Sequence, residues 1–294
     1  MHHITELFCK IDDFCKQFEP ILHQQLIEQR PNARKRQTQA ALSELMTVLV
    51  LFHQLRYRQF KMFYTFHVKG LLQREFPNMP SYNRFIELMP RCLLGLFAFF
   101  QTIKGDCSGV SIVDSTALAV CHNRRIHQHQ VFTGHASRGK TSVDWFFGFK
   151  LHLLINHLGE IIDFRLTAGN VNDRQPLPDL CQHIFGMLVG DKGYLGRSLT
   201  DQLRQQGIKL LTPVRRNMKE VRHTEFETYL LKRRSLVETV IDELKNLCQI
   251  EHTRHRSMMG FLVNLMGGLV AYCLSPNKPK LPLSKGRMIE NVTC

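Results

Sequence analysis

Three carboxylates in this 294-residue chain stand where an acid needs a reason to be. Asp114 interrupts Ser111-Ile112-Val113-Asp114-Ser115-Thr116-Ala117-Leu118, a run otherwise suited to a buried strand. A charge in that setting is costly unless a partner or a metal compensates. Asp191 follows Met187-Leu188-Val189-Gly190 and precedes Lys192-Gly193-Tyr194, which puts it at the carboxyl end of a short buried strand. Open α/β sheets bind their ligands there. Glu238 falls on a long helix predicted from about residue 227 to 248. At about 100° per residue from Arg234, Glu238 lies near about 40° and Lys245 near about 20°. The three form one stripe beside the apolar arc of Leu236, Val237, Val240, Ile241, Leu244 and Cys248. Asp242 is farther from that arc, and Glu243 points away from both cations.

Each acid has an ordinary explanation on its own. Asp114 suits a turn, Asp191 a cap, and Glu238 an i, i+4 ion pair with Arg234 on a surface. Together, two Asp and one Glu make a hard oxygen donor set of the kind divalent cations prefer. Two such cations about 4 Å apart would activate a nucleophile and neutralise a leaving oxygen, the requirement for cutting a phosphodiester at neutral pH. Asp114 is then expected to bridge both ions, with Asp191 completing one site and Glu238 the other. Mg²⁺ is the expected metal, two ions, with Mn²⁺ able to substitute.

The elements that must position these acids fall into two kinds. Residues 1–105 read as all-helical: Ile4, Leu7, Phe8, Ile11, Cys15 and Phe18 recur at helical spacing. Ser43 with Glu44 opens an apolar run through Phe52, and Pro80-Ser81 starts a helix carrying Tyr82, Phe85, Leu88 and Met89. Residues 106–275 change character. Strands are predicted over 110–120, 145–155 and 160–166, then helix 177–185, strand 187–189, helix 195–206, strand 208–211 and the long helix. Consecutive strands followed by alternation imply an α/β unit, a mixed sheet covered by helices. A flexible basic tail is expected over 276–294.

Charge indicates a partner. Lys and Arg number 39 against 25 Asp and Glu, a net +14 that attracts a polyanion, with double-stranded DNA the expected one. Arg30, Arg34, Lys35, Arg36, Arg56, Arg58, Lys61, Lys69, Arg74 and Arg84 suit a helical DNA-docking domain, although periodicity cannot put them on one surface. A packing element with solvated charges fits them too. Arg234, Lys245, Arg215 and Arg216 would hold phosphates near the acids. Lys150 and His152 share a strand face with Gly148, and either line the site or belong to a satisfied face. His122, His127, His129 and His135 sit among Arg124, Arg125, Arg138 and Lys140, with no Cys at zinc spacing. A phosphate-contacting loop is expected over a metal site. Nine cysteines without a C-x-x-C pair fit reduced thiols. The apolar run 261–274 is too short to span a bilayer, so no membrane partner and a cytoplasmic, nucleoid-associated location are expected.

One set of motifs goes further. Arg234, Glu238 and Lys245, at their spacing, resemble the tyrosine–arginine–glutamate–lysine signature of bacterial insertion-sequence transposases of the DDE class. Val113-Asp114-Ser115-Thr116 and Gly190-Asp191-Lys192-Gly193-Tyr194 look like that family's first two acid motifs. Gly148-Phe149-Lys150-Leu151-His152 and Ala168-Gly169-Asn170-Val171-Asn172-Asp173 are similar to segments between them. The likeness spans about 105–275. The family tyrosine, three positions before the arginine, is Leu231 here. The resemblance implies an RNase H-like fold, cleavage at element ends, and transfer of the freed 3′-hydroxyl to target DNA. A homodimer is expected on DNA, since two ends must be paired. Two other functions fit the residues: an RNase H-like nuclease that never joins strands, and a non-catalytic DNA-binding protein derived from a transposase.

Overall fold

The computed structural model describes residues 2–29, 39–141, 144–214, 222–252 and 255–283. The chain divides into two compact units. The first is helical and the second carries the sheet.

The helical unit begins with α1 (His2–Gln29), whose Leu7, Ile11 and Cys15 are buried, as their spacing requires. In α2 (Leu42–Gln54) Ser43 lies one residue inside the helix, and its hydroxyl donates to Asp12 of α1 at 2.7 Å. Ala41 precedes the helix, its N–H donating to the Glu44 carboxylate at 2.7 Å. A short α3 (Phe60–Met62) runs into a π-helical stretch, Phe63–Leu71, lined by packed rings including Phe60, Tyr64 and Phe85. Ser81 caps α4 (Tyr82–Leu88), accepting from Arg84 N–H, as the sequence indicates. A 3₁₀ turn at Met89–Arg91 leads into α5 (Cys92–Ile103). Tyr82–Ile103 is 22 residues long and apolar enough by composition to cross a membrane. It is nevertheless broken by that turn, and Phe85, Leu88, Leu96 and Phe100 are buried within this unit.

Among the described residues of the second unit, six strands form one mixed sheet. They are β1 (Val110–Cys121), β2 (Ser137–Lys140), β3 (Trp145–Asn156), β4 (Ile161–Ala168), β5 (Gly186–Val189) and β6 (Ile208–Leu211). β1 pairs antiparallel with β3 and parallel with β5, and β5 pairs parallel with β6. The other edge of β3 is shared end to end: β2 takes Trp145–Gly148 and β4 takes Phe149–Ile155. This is the expected α/β architecture, a mixed sheet with helices, following a helical N-terminal region in the chain. β2 was not legible as a strand, because Ser137-Arg138-Gly139-Lys140 has no apolar alternation and is fixed by its partner.

One face of the sheet, with Val113, Leu154 and Leu188, packs against α6 (Leu177–Leu180) and α7 (Arg197–Gln205) through Leu177, Leu199 and Leu203. The predicted helix 177–185 shrinks to α6, because the chain turns at Cys181 and passes into β5 at Gly186, whose φ is +84°. The long helix expected from 227 to 248 is three pieces: α8 (Glu225–Lys232), α9 (Leu236–Asp242) and a π-helical stretch, Glu243–Leu247. Arg233, Arg234 and Ser235 form the turn between the first two.

The sequence-based boundary at 275 shifts as well. After Lys245 the chain returns to the helical unit with 246–250 and 256–275, including α10 (Met258–Cys273). α10 packs between α2 and α5 because it is apolar on all sides. Of the tail, 284–294 lies outside the described residues, whereas Leu281 is buried and its N–H donates to His157 O at 2.7 Å.

Candidate active site

Register brings the first two acids together. The last paired residues of β1 and β5 are Ile112 and Val189. Asp114 and Asp191 each stand two residues further along these parallel neighbours, at the carboxyl end of β5. At Gly190, just before Asp191, a Cβ would sit 3.0 Å from the Tyr194 ring, a tight contact that the ring would have to relieve. Asp114 is half-buried and accepts from Ser115 N–H at 2.8 Å.

The third acid comes from α9, which packs on β1 through an apolar seam containing Val237 and Val240. Arg234, in the turn before α9, links the acids. Its guanidinium lies 3.1 Å from a Glu238 carboxylate oxygen and 3.6 Å from one of Asp191. Burial pushes the Asp114 carboxyl up to about 6, opposed by the Ser115 N–H and by Arg234, and the neighbouring Asp191 and Glu238 charges push the same way as burial. The ordinary i, i+4 pair between Arg234 and Glu238 is therefore present, and the same guanidinium also reaches Asp191 at the end of β5. The side chains of Asp191 and Glu238 are about half exposed, at 49% and 52%, so the group opens to solvent.

Among the described residues, no three His, Cys, Asp or Glu side chains already stand close enough to hold a metal, these acids included. The donor chemistry nevertheless fits hard divalent cations, being three carboxylates from three elements. The positive charge now between two of them is the Arg234 guanidinium.

The other residues singled out by sequence go to different places. Lys245 has different partners from Arg234. Beyond Asp242 the helix widens to π geometry, so 100° per residue no longer applies. Its ammonium bonds Ala117 O at 2.7 Å and pairs with Glu251 at 2.9 Å. Lys150 and His152 face away from Asp114, because directly paired residues share a face and these sit opposite Ala117 and Ser115. Lys150 is spent on Asp173 at 2.9 Å and Val171 O at 3.0 Å. His152 bonds Thr167 at 2.9 Å, and burial lowers its pKa to about 4. Arg215 and Arg216 lie outside the described residues, as do Arg30, Arg34, Lys35 and Arg36. Of the remaining basic residues of the helical unit, Arg56, Arg58, Lys61, Arg74 and Arg84 are exposed, whereas Lys69 donates to Met79 O at 2.8 Å. The histidine-rich segment is partly ordered by structure of its own: a 3₁₀ helix at Asn123–Gln128, and His129 stacked on buried Phe132. Leu231, in the place of the family tyrosine, lies in the last turn of α8.

Sequence reasoning missed Glu251, which accepts from Ala119 N–H at 3.0 Å, and nothing in its neighbourhood signals that role. It also missed the Tyr194 hydroxyl, buried beside Ser115 without a hydrogen bond of good geometry.

Comparison with known proteins adds a family. Residues 104–258, just over half the chain, match the family model described as a transposase DDE domain. No curated protein sequence matches. Among solved structures, a piggyBac transposase synaptic complex with hairpin DNA is similar at 12% identity and a TM-score of 0.47, covering 89% of this chain and 73% of that one. A Mos1 transposase paired-end complex with left transposon end gives 13% and 0.28, covering 73% and 68%. The Mos1 mariner paired-end complex with Mn gives 14% and 0.27, covering 82% and 83%. With TM-scores this low, the family rests on the 104–258 match.

Proposed function

The chain belongs to the transposase DDE domain family, and from that premise we propose that Asp114, Asp191 and Glu238 are its acids. Members of the class are DNA transposases: they cleave DNA and transfer the strand, and they depend on divalent metal ions. The observation that supports the assignment is that one guanidinium pairs with carboxylates from the end of β5 and from α9, while the Asp114 carboxyl of β1 stands near enough to feel the charges of all three. The acids fall in the matched segment and in the order the class requires.

In this reading the three carboxylates hold two Mg²⁺ ions, which Mn²⁺ can replace. When bound, these cations supply an activated oxygen nucleophile and neutralise the leaving oxygen. The chain's own groups do the remaining work. Asp114 accepts from the Ser115 N–H and must be ionised to act. Arg234 offsets the repulsion among the acids and can turn a planar fork to a phosphate. The exposed bases of the helical unit, together with Arg215 and Arg216, bind the DNA backbone of element and target. Two ends are paired by a homodimer, the element is a bacterial insertion sequence, and the protein works at the nucleoid.

Cleavage of labelled element-end DNA with Mg²⁺ tests this. Asp114→Asn, Asp191→Asn and Glu238→Gln should each lose at least roughly 100-fold, as loss of a metal ligand should cost no less than loss of a second-sphere partner. Wild-type activity in any of the three removes that residue from the site. Nicked products that are never joined to target would make the protein a nuclease.

A further inference from the structure

The edge of β1 that β5 leaves uncovered is closed by side chains. β5 pairs with β1 only over Val110–Ile112, while β1 continues to Cys121. Backbone groups on an open edge must find partners. Residues two apart in a strand present their N–H and C=O to the same side, so Ser115, Ala117 and Ala119 share an edge. The Ser115 N–H donates to the Asp114 carboxylate at 2.8 Å, Ala117 C=O accepts from Lys245 at 2.7 Å, and Ala119 N–H donates to Glu251 at 3.0 Å. Lys245 and Glu251 are themselves paired at 2.9 Å. One ammonium and one carboxylate thus supply the donor and the acceptor that a neighbouring strand would have offered.

We propose that Lys245 and Glu251 form a clip that fixes the glutamate-bearing helix against the aspartate-bearing strand, and that they are positioning residues for the metal-binding acids. Lys245 lies seven residues beyond Glu238 and Ala117 three beyond Asp114, so the clip ties together the two elements that carry those acids. This assigns Lys245 a task inside the protein in place of the phosphate contact that its sequence position suggests. The inference rests on the acid assignment above.

The test uses the full chain. Mn²⁺ binding is followed by electron paramagnetic resonance without DNA, and DNA affinity is followed as a function of salt. Lys245→Met and Glu251→Leu should each weaken Mn²⁺ binding by about 10- to 100-fold, while DNA affinity and its salt dependence stay as in the wild type. Lys245→Arg, which still donates to Ala117 O and pairs with Glu251, should retain binding and guards against misreading a folding defect. The exchange Lys245→Glu with Glu251→Lys restores opposite charges but should not rescue, because a carboxylate cannot donate to a carbonyl and an ammonium cannot accept from an N–H. Rescue by that exchange overturns the clip. So does a Lys245→Met protein that binds Mn²⁺ normally but loses about one phosphate's worth of salt dependence. If Asp114→Asn leaves Mn²⁺ binding intact, the acid assignment falls separately. Amide exchange at Ala119 then decides the clip: faster in Glu251→Leu supports it, unchanged refutes it.

Discussion

Removing the charge of Asp114 should make the protein inactive and more stable. The carboxyl ordinarily titrates at 3.8 and in the fold at about 6, chiefly because it is buried. Each unit is worth about 1.4 kcal/mol, so holding the group ionised in the folded state costs about 3 kcal/mol. The sign follows from proton linkage. Between 3.8 and about 6 the folded chain binds the proton and the unfolded chain has released it, so stability falls as pH rises through that window. Above it the penalty is complete, and below it there is none. Asparagine keeps an oxygen for the Ser115 N–H and carries no charge to desolvate. Asp114→Asn should therefore gain up to about 3 kcal/mol at about pH 8, roughly 5–10 °C in Tm for a chain of this size. The gain should be nearly gone at about pH 4. Thermal unfolding in a chelator at both pH values, beside a Mg²⁺ cleavage assay, provides the measurement. A variant no more stable than the wild type at the higher pH refutes the reasoning. So does a gain of the same size at both, since packing rather than charge would then be responsible.

Three further outcomes follow from the same surroundings. Arg234 holds the Asp114 carboxyl below the level that burial alone would set, so Arg234→Gln should move the acid limb of the cleavage–pH profile upward; an unmoved limb would detach Arg234 from Asp114. His152, lowered from 6.5 to about 4 mainly by burial, stays neutral in the fold while the unfolded chain takes a proton. The wild type should lose about 3 kcal/mol as pH falls through that window, and His152→Asn should lose less over the same range, measured by denaturant unfolding. Tyr194→Phe removes a buried hydroxyl without a well-formed bond and should be neutral or stabilising by about 1 kcal/mol. Destabilisation would mean that the hydroxyl bonds Ser115 after all.

What could be read from sequence was whatever local pattern and motif spacing encode. The strand-forming runs of β1 and β3, the cap at Ser81 and the acid at the end of β5 are all local features, and the structure contains them. What was missed depends on partners distant in the chain. β2 is polar and becomes a strand through β3. Glu238 does lie beside Arg234, although Arg234 stands in the turn before α9 and not in the continuous helix that the projection assumed. Projection carries no further than Asp242, where the winding becomes π, and it could not show that the Lys245 ammonium goes to Ala117 O and Glu251. Strand alternation grouped Lys150 with His152 correctly, yet only the register with β1 reveals that both point away from Asp114.

The return of α10 to the first unit bears on how a nascent chain matures. α2 and α5 are synthesised early, but the helix that packs against both of them does not begin until Met258. By then the whole span from Lys104 to Lys245, with all six described strands, has been translated. The part that starts first is therefore completed only after most of the second unit has been made, contrary to the usual progression of folding from the N-terminus. A polypeptide stalled on the ribosome before α10 would carry a finished sheet behind an unsealed head, with its apolar helices open to chaperones.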